Sequence, residues 1–285
     1  MTFSIGVLGV GQFGGHFAHL FKLHPGVSTV YAVDERPERA LGFYEAYQYS
    51  GGENWKATAS YPPMLYPTHA IGGVLGAVPA HAVSVSCVGV KDDRPDGVFD
   101  KDVSMFGNDF SNATALFELN DGGVMRTNEM RRVGYPSHIR ESRFRFFGTE
   151  ASFEQLATVS VWQDKKDVLD ISDQLDTRPS IPLDDPSLAD VAPELRDAFT
   201  SGLAPVHDSS RLPEEFRGAP NGHDGSHQFL VDDFVTAVNS GSLPPVNAWV
   251  AARFTLPGIV AHASAQRNGE RLAIRDFGDA PSAAG

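Results

Sequence analysis

Cysteine is almost absent from this chain. The single Cys87 lies in an apolar, strand-like run, which excludes an internal disulfide framework and suggests a buried thiol in a reducing compartment. Clusters of basic residues are also missing. Lys and Arg number 23 against 36 Asp and Glu, a net charge of −13, whereas a surface that tracks nucleic acid or an anionic membrane needs clustered cations. No stretch approaches the ~20 apolar residues of a membrane span. The N-terminal apolar run has no basic segment before it and is broken by glycine, so it reads as a strand and not a signal peptide. The expectation is a cytoplasmic protein without nucleic-acid or membrane partners. Internal repeats are lacking too, and His223 and His227, at i, i+4 spacing, have no third ligand to announce a metal site, so no metal is expected.

What is present is enough for a sizeable core: 285 residues, 41% hydrophobic, with 19 Phe, room for two domains. Its most informative stretch is Gly6-Val7-Leu8-Gly9-Val10-Gly11-Gln12-Phe13-Gly14-Gly15. Ile5, Val7, Leu8 and Val10 form an apolar strand. Gly9 permits a tight turn, Gly11 lets a pyrophosphate approach the backbone, and Gly14 lets the next helix pack closely. Phe13, Phe17, Leu20 and Phe21 then recur at helical spacing, Pro25-Gly26 stops the helix, and Val27 to Val33 forms a second strand. Asp34 ends that strand. An acidic residue there accepts hydrogen bonds from ribose hydroxyls and repels a 2′-phosphate, which favours NAD, with NADP the alternative that Arg36 keeps open. Gly9, Val10, Gly11, Gln12, Phe13, Gly14 and Asp34 are therefore the expected cofactor residues.

After Pro37-Glu38-Arg39-Ala40-Leu41, which opens a second helix, the β-α-β pattern breaks into an aromatic-rich connection over residues 44 to 63. Only two strands of a nucleotide-binding domain precede the break. A helix over 64 to 77 follows, and then alternating strands: Val83, Val85, Cys87; Ala113 to Leu119; a turn at Asn120 to Gly123; Val124 to Arg132; and Arg143 to Phe146, which the stretch from Gly148 to Phe153 turns back toward Val159 to Trp162. They predict an antiparallel sheet of at least five strands with one apolar and one mixed face. Residues 165 to 221 read as a long surface loop with a short helix at 191 to 199. Helices return at 227 to 238 and 248 to 266, before a strand at 271 to 277. The fold class is α/β plus α+β: a partial Rossmann nucleotide-binding domain (1–60), then an open-faced, mostly antiparallel sheet domain (61–285).

The glycine fingerprint, the Tyr66-Pro67-Thr68-His69 helix start, the Gly148-Thr149-Glu150-Ala151-Ser152 turn and the Ser264-Ala265-Gln266-Arg267-Asn268-Gly269 stretch together resemble the Gfo/Idh/MocA oxidoreductases. The resemblance runs over most of the chain. It implies an NAD(P) domain beside an open sheet that binds substrate and mediates homo-oligomerisation, with sugars, inositols or other polyols as substrates. Leu65 to His69 and Gly222 to His227 further resemble the branch near the NAD-dependent α-N-acetylgalactosaminidases, which implies a glycosidase variant of the activity. On this resemblance His69 is the catalytic base, and Tyr66, His223 and His227 lie near substrate.

Two departures stand out. The family's Asp four residues before the His is Leu65 here, and its Glu-Lys-Pro triplet is missing. These departures support a second expectation, a shortened, catalytically silent homologue acting as a ligand-binding or oligomerisation module. Arg131-Arg132 reads as salt bridging on the exposed sheet face, with an anionic substrate as the alternative, and Asp232-Asp233 as the solvated face of a helix.

Overall fold

The computed structural model describes residues 2–9, 12–34, 61–132 and 142–281, apart from 97, 103, 105, 178–180, 187–188, 190–201, 217–218 and 220–222. The second helix at 37, most of the aromatic connection and the helix at 191 to 199 lie outside these residues. In chain order the first elements are β1 (Phe3–Leu8), α1 (Gln12–Leu23), β2 (Val27–Val33), a 3-10 turn (Pro63–Leu65) and α2 (Ala70–Leu75). The strands β3 (Ala82–Lys91), β4 (Phe110–Leu119), β5 (Val124–Met130), β6 (Arg145–Phe147), β7 (Ala151–Gln155), β8 (Ser160–Asp164) and β9 (Val168–Asp170) follow. The chain continues through α3 (Ser172–Leu175), α4 (Ser226–Ser240), α5 (Ala248–Gln266) and β10 (Leu272–Ala273).

The described residues fall into two compact units, one from 1–52 and 171–245, the other from 53–170 and 246–282. This division differs from the expected 1–60 and 61–285, because α4 joins the N-terminal unit. There β1 and β2 pair in parallel, in register from Ser4↔Thr29 to Leu8↔Val33. Phe3, Ile5, Val7 and Val30 pack with Leu20 and Phe21 of α1 and with Val231 and Val235 of α4. The stripe that predicted α4 is thus spent on α1 and the parallel strands, since an amphipathic helix must bury its apolar face somewhere.

A polar clamp holds the α1–β2 turn to α4. Gly26 N donates to His24 Nδ1 at 3.0 Å, which leaves the proton on Nε2 to be donated to Asp232 Oδ1 at 3.3 Å. Arg211 pairs with Asp232 and reaches Asp233 at 2.9 Å. Asp232 is buried, which corrects the reading of this pair as a solvated face: the carboxylate is kept inside by His24 and Arg211.

In the second unit one antiparallel sheet runs β10-β3-β4-β5 and another runs β6-β7-β8-β9. The expected single sheet is therefore two of four strands each. On the first, Val85, Cys87, Ala113, Ala115, Phe117 and Met125 face a core completed by Met64, Ile71 and Leu75 and by Ala261 and Ala265 of α5. Burial pushes the Cys87 thiol up to about 12, so it stays a protonated, inert core group. The Asn120 to Gly123 turn closes as expected, with Gly122 at φ 86° and Leu119 N bonded to Gly123 O at 2.9 Å. On the second sheet Phe146, Phe153, Trp162 and Leu169 form one cross-strand row.

α5 spans 248–266 as its pattern predicts, capped by Asn247, whose Oδ1 accepts from Trp249 N and Val250 N at 3.0 and 3.2 Å. Two other expected elements are shorter. Pro67 removes an N–H and pushes Tyr66 out of the helical region, to φ −117° and ψ 64°, so the helix expected from 64 begins only at 70. The C-terminal strand stops at Ala273, after which Asp276 turns to accept from Arg253 Nε and Nη2, each at 2.9 Å. No helix among the described residues is long and apolar enough to cross a membrane.

Candidate functional site

Two groups of predicted residues are formed, one in each unit. In the first, parallel pairing puts the C-terminal ends of β1 and β2 side by side, where open α/β sheets bind ligands. Gly9 follows β1 at φ 81°, a left-handed conformation that strains any side chain, and its N–H donates to Val33 O at 2.7 Å. Asp34 follows Val33, half-buried, so the turn and the acidic residue stand on neighbouring strand ends. Gly14 lies in the first turn of α1, and a Cβ built on it would sit 1.9 Å from the carbonyl oxygen of Gly9. No side chain fits there. The helix start is pressed against the strand end, the close approach that a dinucleotide fingerprint requires of its third glycine. Val10 and Gly11 lie outside the described residues, and so do the side chains of Gln12 and Phe13, whose backbone opens α1.

The second group is built on the turn before α2. Tyr61 donates from its hydroxyl to Leu65 O at 3.0 Å, closing the 3-10 turn. α5 approaches this turn at Gly258, where a Cβ would come within 2.3 Å of Met64 O and 2.6 Å of Pro67 Cβ. A small residue there fixes where Tyr66 and His69 stand. His69 caps α2 as the residue just before Ala70, and its carbonyl accepts from Gly73 N at 3.1 Å. Its ring is exposed and lies 5.4 Å from the half-buried ring of Tyr66.

Beside them comes Arg131, just beyond the end of β5. Its Cζ is 5.8 Å from the centre of the Tyr66 ring, Nη2 donates to Pro63 O at 3.0 Å, and Nη1 lies 3.5 Å from Glu129 Oε2. Asn112 Oδ1 accepts from the backbone N–H of both Arg131 and Arg132, at 3.0 Å each, and so sets where the strand ends. Arg132 departs to Asp92 and Asp96, at 3.2 and 2.8 Å, with its guanidinium over Phe99. Its hydrogen bond holds the Asp96 carboxyl below the usual carboxylate range. The salt bridging expected of this Arg pair is formed, but Arg131 makes it on the covered side of the sheet.

His223 and His227 belong to the other unit. Their rings stack at 4.7 Å, and His227, 1% exposed, lies 4.7 Å from the Phe17 ring on α1. His227 is in the core there, while His223 is exposed. Glu129 is absent from the expected site residues, and Arg131 enters them only through the anionic-substrate alternative. Their signal is the alternation of β5: Met125, Thr127 and Glu129 share the covered face, so polar residues replace apolar ones toward its end.

These features define a two-unit α/β and antiparallel-sheet architecture, with a dinucleotide-type turn in one unit and a histidine-bearing helix start in the other. Solved structures share it. The chain resembles an oxidoreductase from Agrobacterium radiobacter, solved in complex with NAD+, L-tartaric acid and magnesium, with a TM-score of 0.55 at 10% identity over 96% of this chain and 98% of that one. A UDP-N-acetylglucosamine 3-dehydrogenase from Acidithiobacillus ferrooxidans aligns with a TM-score of 0.52 at 13% identity over 94% and 99%. At such identities the likeness is one of fold. No protein-family model and no curated protein sequence matches the chain.

Proposed function

We propose that this protein is an NAD-dependent oxidoreductase of the Gfo/Idh/MocA type, moving a hydride between a sugar-like or cyclitol hydroxyl and nicotinamide. The observation that carries the reading is the close approach of Gly14 to Gly9 O beside Asp34, the arrangement by which a dinucleotide fingerprint sets a helix N-terminus for a pyrophosphate and an acidic residue for the ribose. Residues 9 to 14 hold the pyrophosphate and Asp34 the ribose hydroxyls. Bound NAD supplies the hydride acceptor, the hard part of the chemistry. His69, exposed at the start of α2, takes the hydroxyl proton, since an imidazole titrates near ambient pH, and Tyr66 flanks it. The neighbours crystallised with NAD+ or acting on a nucleotide sugar support the same cofactor and substrate class.

Calorimetric titration of NAD+ into the wild type and into Asp34→Ala tests it. Binding by the wild type that is lost in the variant, followed by NADH formation with a polyol, is the expected result; a wild type that does not bind overturns the reading. The same screen includes an α-N-acetylgalactosaminide, whose NAD-dependent cleavage would point to the glycosidase variant.

A second reading has its own observation. Leu8, Tyr31 and Val33 on the outer face of the β1–β2 pair are 82%, 58% and 55% exposed, whereas parallel sheets ordinarily have both faces covered. A silent homologue fits that incomplete packing, and NAD binding without turnover of any polyol would favour it. In either reading we infer that a second copy covers the outer face of the β10-β3-β4-β5 sheet, where Val88, Val90 and Leu116 are exposed. Light scattering of the wild type and of Leu116→Glu checks this; a monomeric wild type rules it out.

A further inference from the structure

Resting on the polyol reading, we propose that Arg131 makes the His69 site selective for acidic polyols, substrates that carry a carboxylate beside the reacting carbinol. β5 is an edge strand whose covered face begins as core, with Met125 at 3% exposure. The next two residues on that face are Thr127, at 3%, and Glu129, at 8%, and Arg131 continues the row. Same-face neighbours on a strand are about 7 Å apart, so three polar side chains line a strip of about 14 Å. This strip lies beside the 3-10 turn and α2, the segment that carries Tyr66 and His69. An ion pair in such a place contributes less stability than an apolar pair of the same volume, because both charges lose water.

Its hydrogen bonding points to a ligand. Of the five N–H donors of Arg131, one goes to Pro63 O at 3.0 Å. Glu129 stands 3.5 Å from Nη1, well beyond the roughly 2.8 Å of a charge-assisted bond, and so tempers the charge without occupying the donors. Nε of Arg131 and Oγ1 of Thr127 are buried and find no acceptor or donor among the described residues. Buried polar groups are nearly always paired, and a planar guanidinium with free donors fits a carboxylate in two-pronged fashion. The Tyr66 ring is in contact with both groups, its centre 5.8 Å from the Arg131 guanidinium carbon and 5.4 Å from the centre of the His69 imidazole. Because both groups flank one ring, a single sugar acid can place its carboxylate on Arg131 and a carbinol at His69.

The test is a matched pair of ligands titrated calorimetrically into the whole protein without nicotinamide: D-gluconate and D-glucitol, which differ in the carboxylate. The wild type is expected to bind gluconate at least about ten-fold more tightly, the range of a hydrogen bond to a charged group. Arg131→Met removes that preference, weakening gluconate binding at least about ten-fold more than glucitol binding. If Arg131→Met does not fold by circular dichroism, Arg131→Lys decides: it keeps the charge but loses the fork, so the ratio of gluconate to glucitol affinity shrinks. Equal binding of the two ligands by the wild type, binding of neither, or a preference that survives either substitution overturns the proposal. A gluconate preference in a protein that never reduces NAD+ would leave Arg131 in this role and remove the redox reading. Oxidation of neutral polyols with no gluconate preference would do the reverse.

Discussion

The proposed cradle at the end of β1 and the proposed site at the start of α2 are made of different material. The first is backbone: Gly9 in a left-handed turn and Gly14 against its carbonyl oxygen, within one strand-turn-helix. The second is side chains from three distant stretches, with Tyr66 and His69 before α2, Glu129 and Arg131 at the end of β5, and Gly258 on α5 setting the spacing. The difference decides how each can fail. A backbone cradle tolerates no added atom at a fixed point, whereas a side-chain site depends on a core beneath it and on the chemistry of individual groups.

His69→Gln separates chemistry from packing most sharply. The ring is exposed, so the melting temperature should stay within the small range of surface substitutions, while the steady-state rate of polyol oxidation falls about a hundred- to ten-thousand-fold. Equal rates in the two proteins would take the base away from His69. Phe117→Ala does the opposite to the same unit. Its side chain is wholly buried at the centre of the sheet core, and urea unfolding should show a loss of about 3–5 kcal/mol.

In the other unit Gly14→Val should cost about 1–3 kcal/mol from overpacking against Gly9 O and should abolish NAD+ binding by titration calorimetry. If binding survived, the close approach would have no part in the cradle. The smallest effect concerns pH. Burial holds His262 on α5 below its ordinary value of 6.5, so the unfolded chain takes up a proton that the folded one resists. Stability from this group is complete above 6.5 and is lost as the pH falls from there toward the depressed folded value. His262→Gln should flatten that part of the stability–pH curve measured by urea unfolding.

Much of the local structure was legible in the residues. β2 and α5 lie where alternation and periodicity put them, at 27–33 and 248–266, and the Asn120 to Gly123 turn forms as its Gly demands. The helix expected over 64 to 77 is cut at its start, because Pro67 holds Tyr66 out of the helical region. The long stretch from 165 reads as loop, yet it holds β9, a three-residue strand that pairs with β8 and is too brief to show a pattern. Glu129 was passed over because a strand shows which residues share a face but not which face is covered.

By itself, then, the sequence determined the glycine turn and its acidic partner, since φ > 0 and the absence of a Cβ are properties of single residues and their spacing. It also determined the alternating strands and the helix boundaries at Asn247 and Pro25-Gly26, which depend on neighbours in the chain. Only the tertiary structure decided that α4 joins the N-terminal unit, that Asp232 is buried against His24, and that Arg131 lies beside Tyr66. Those are contacts between segments far apart in sequence. Their selection follows from which apolar faces bury each other, a choice that no local pattern contains.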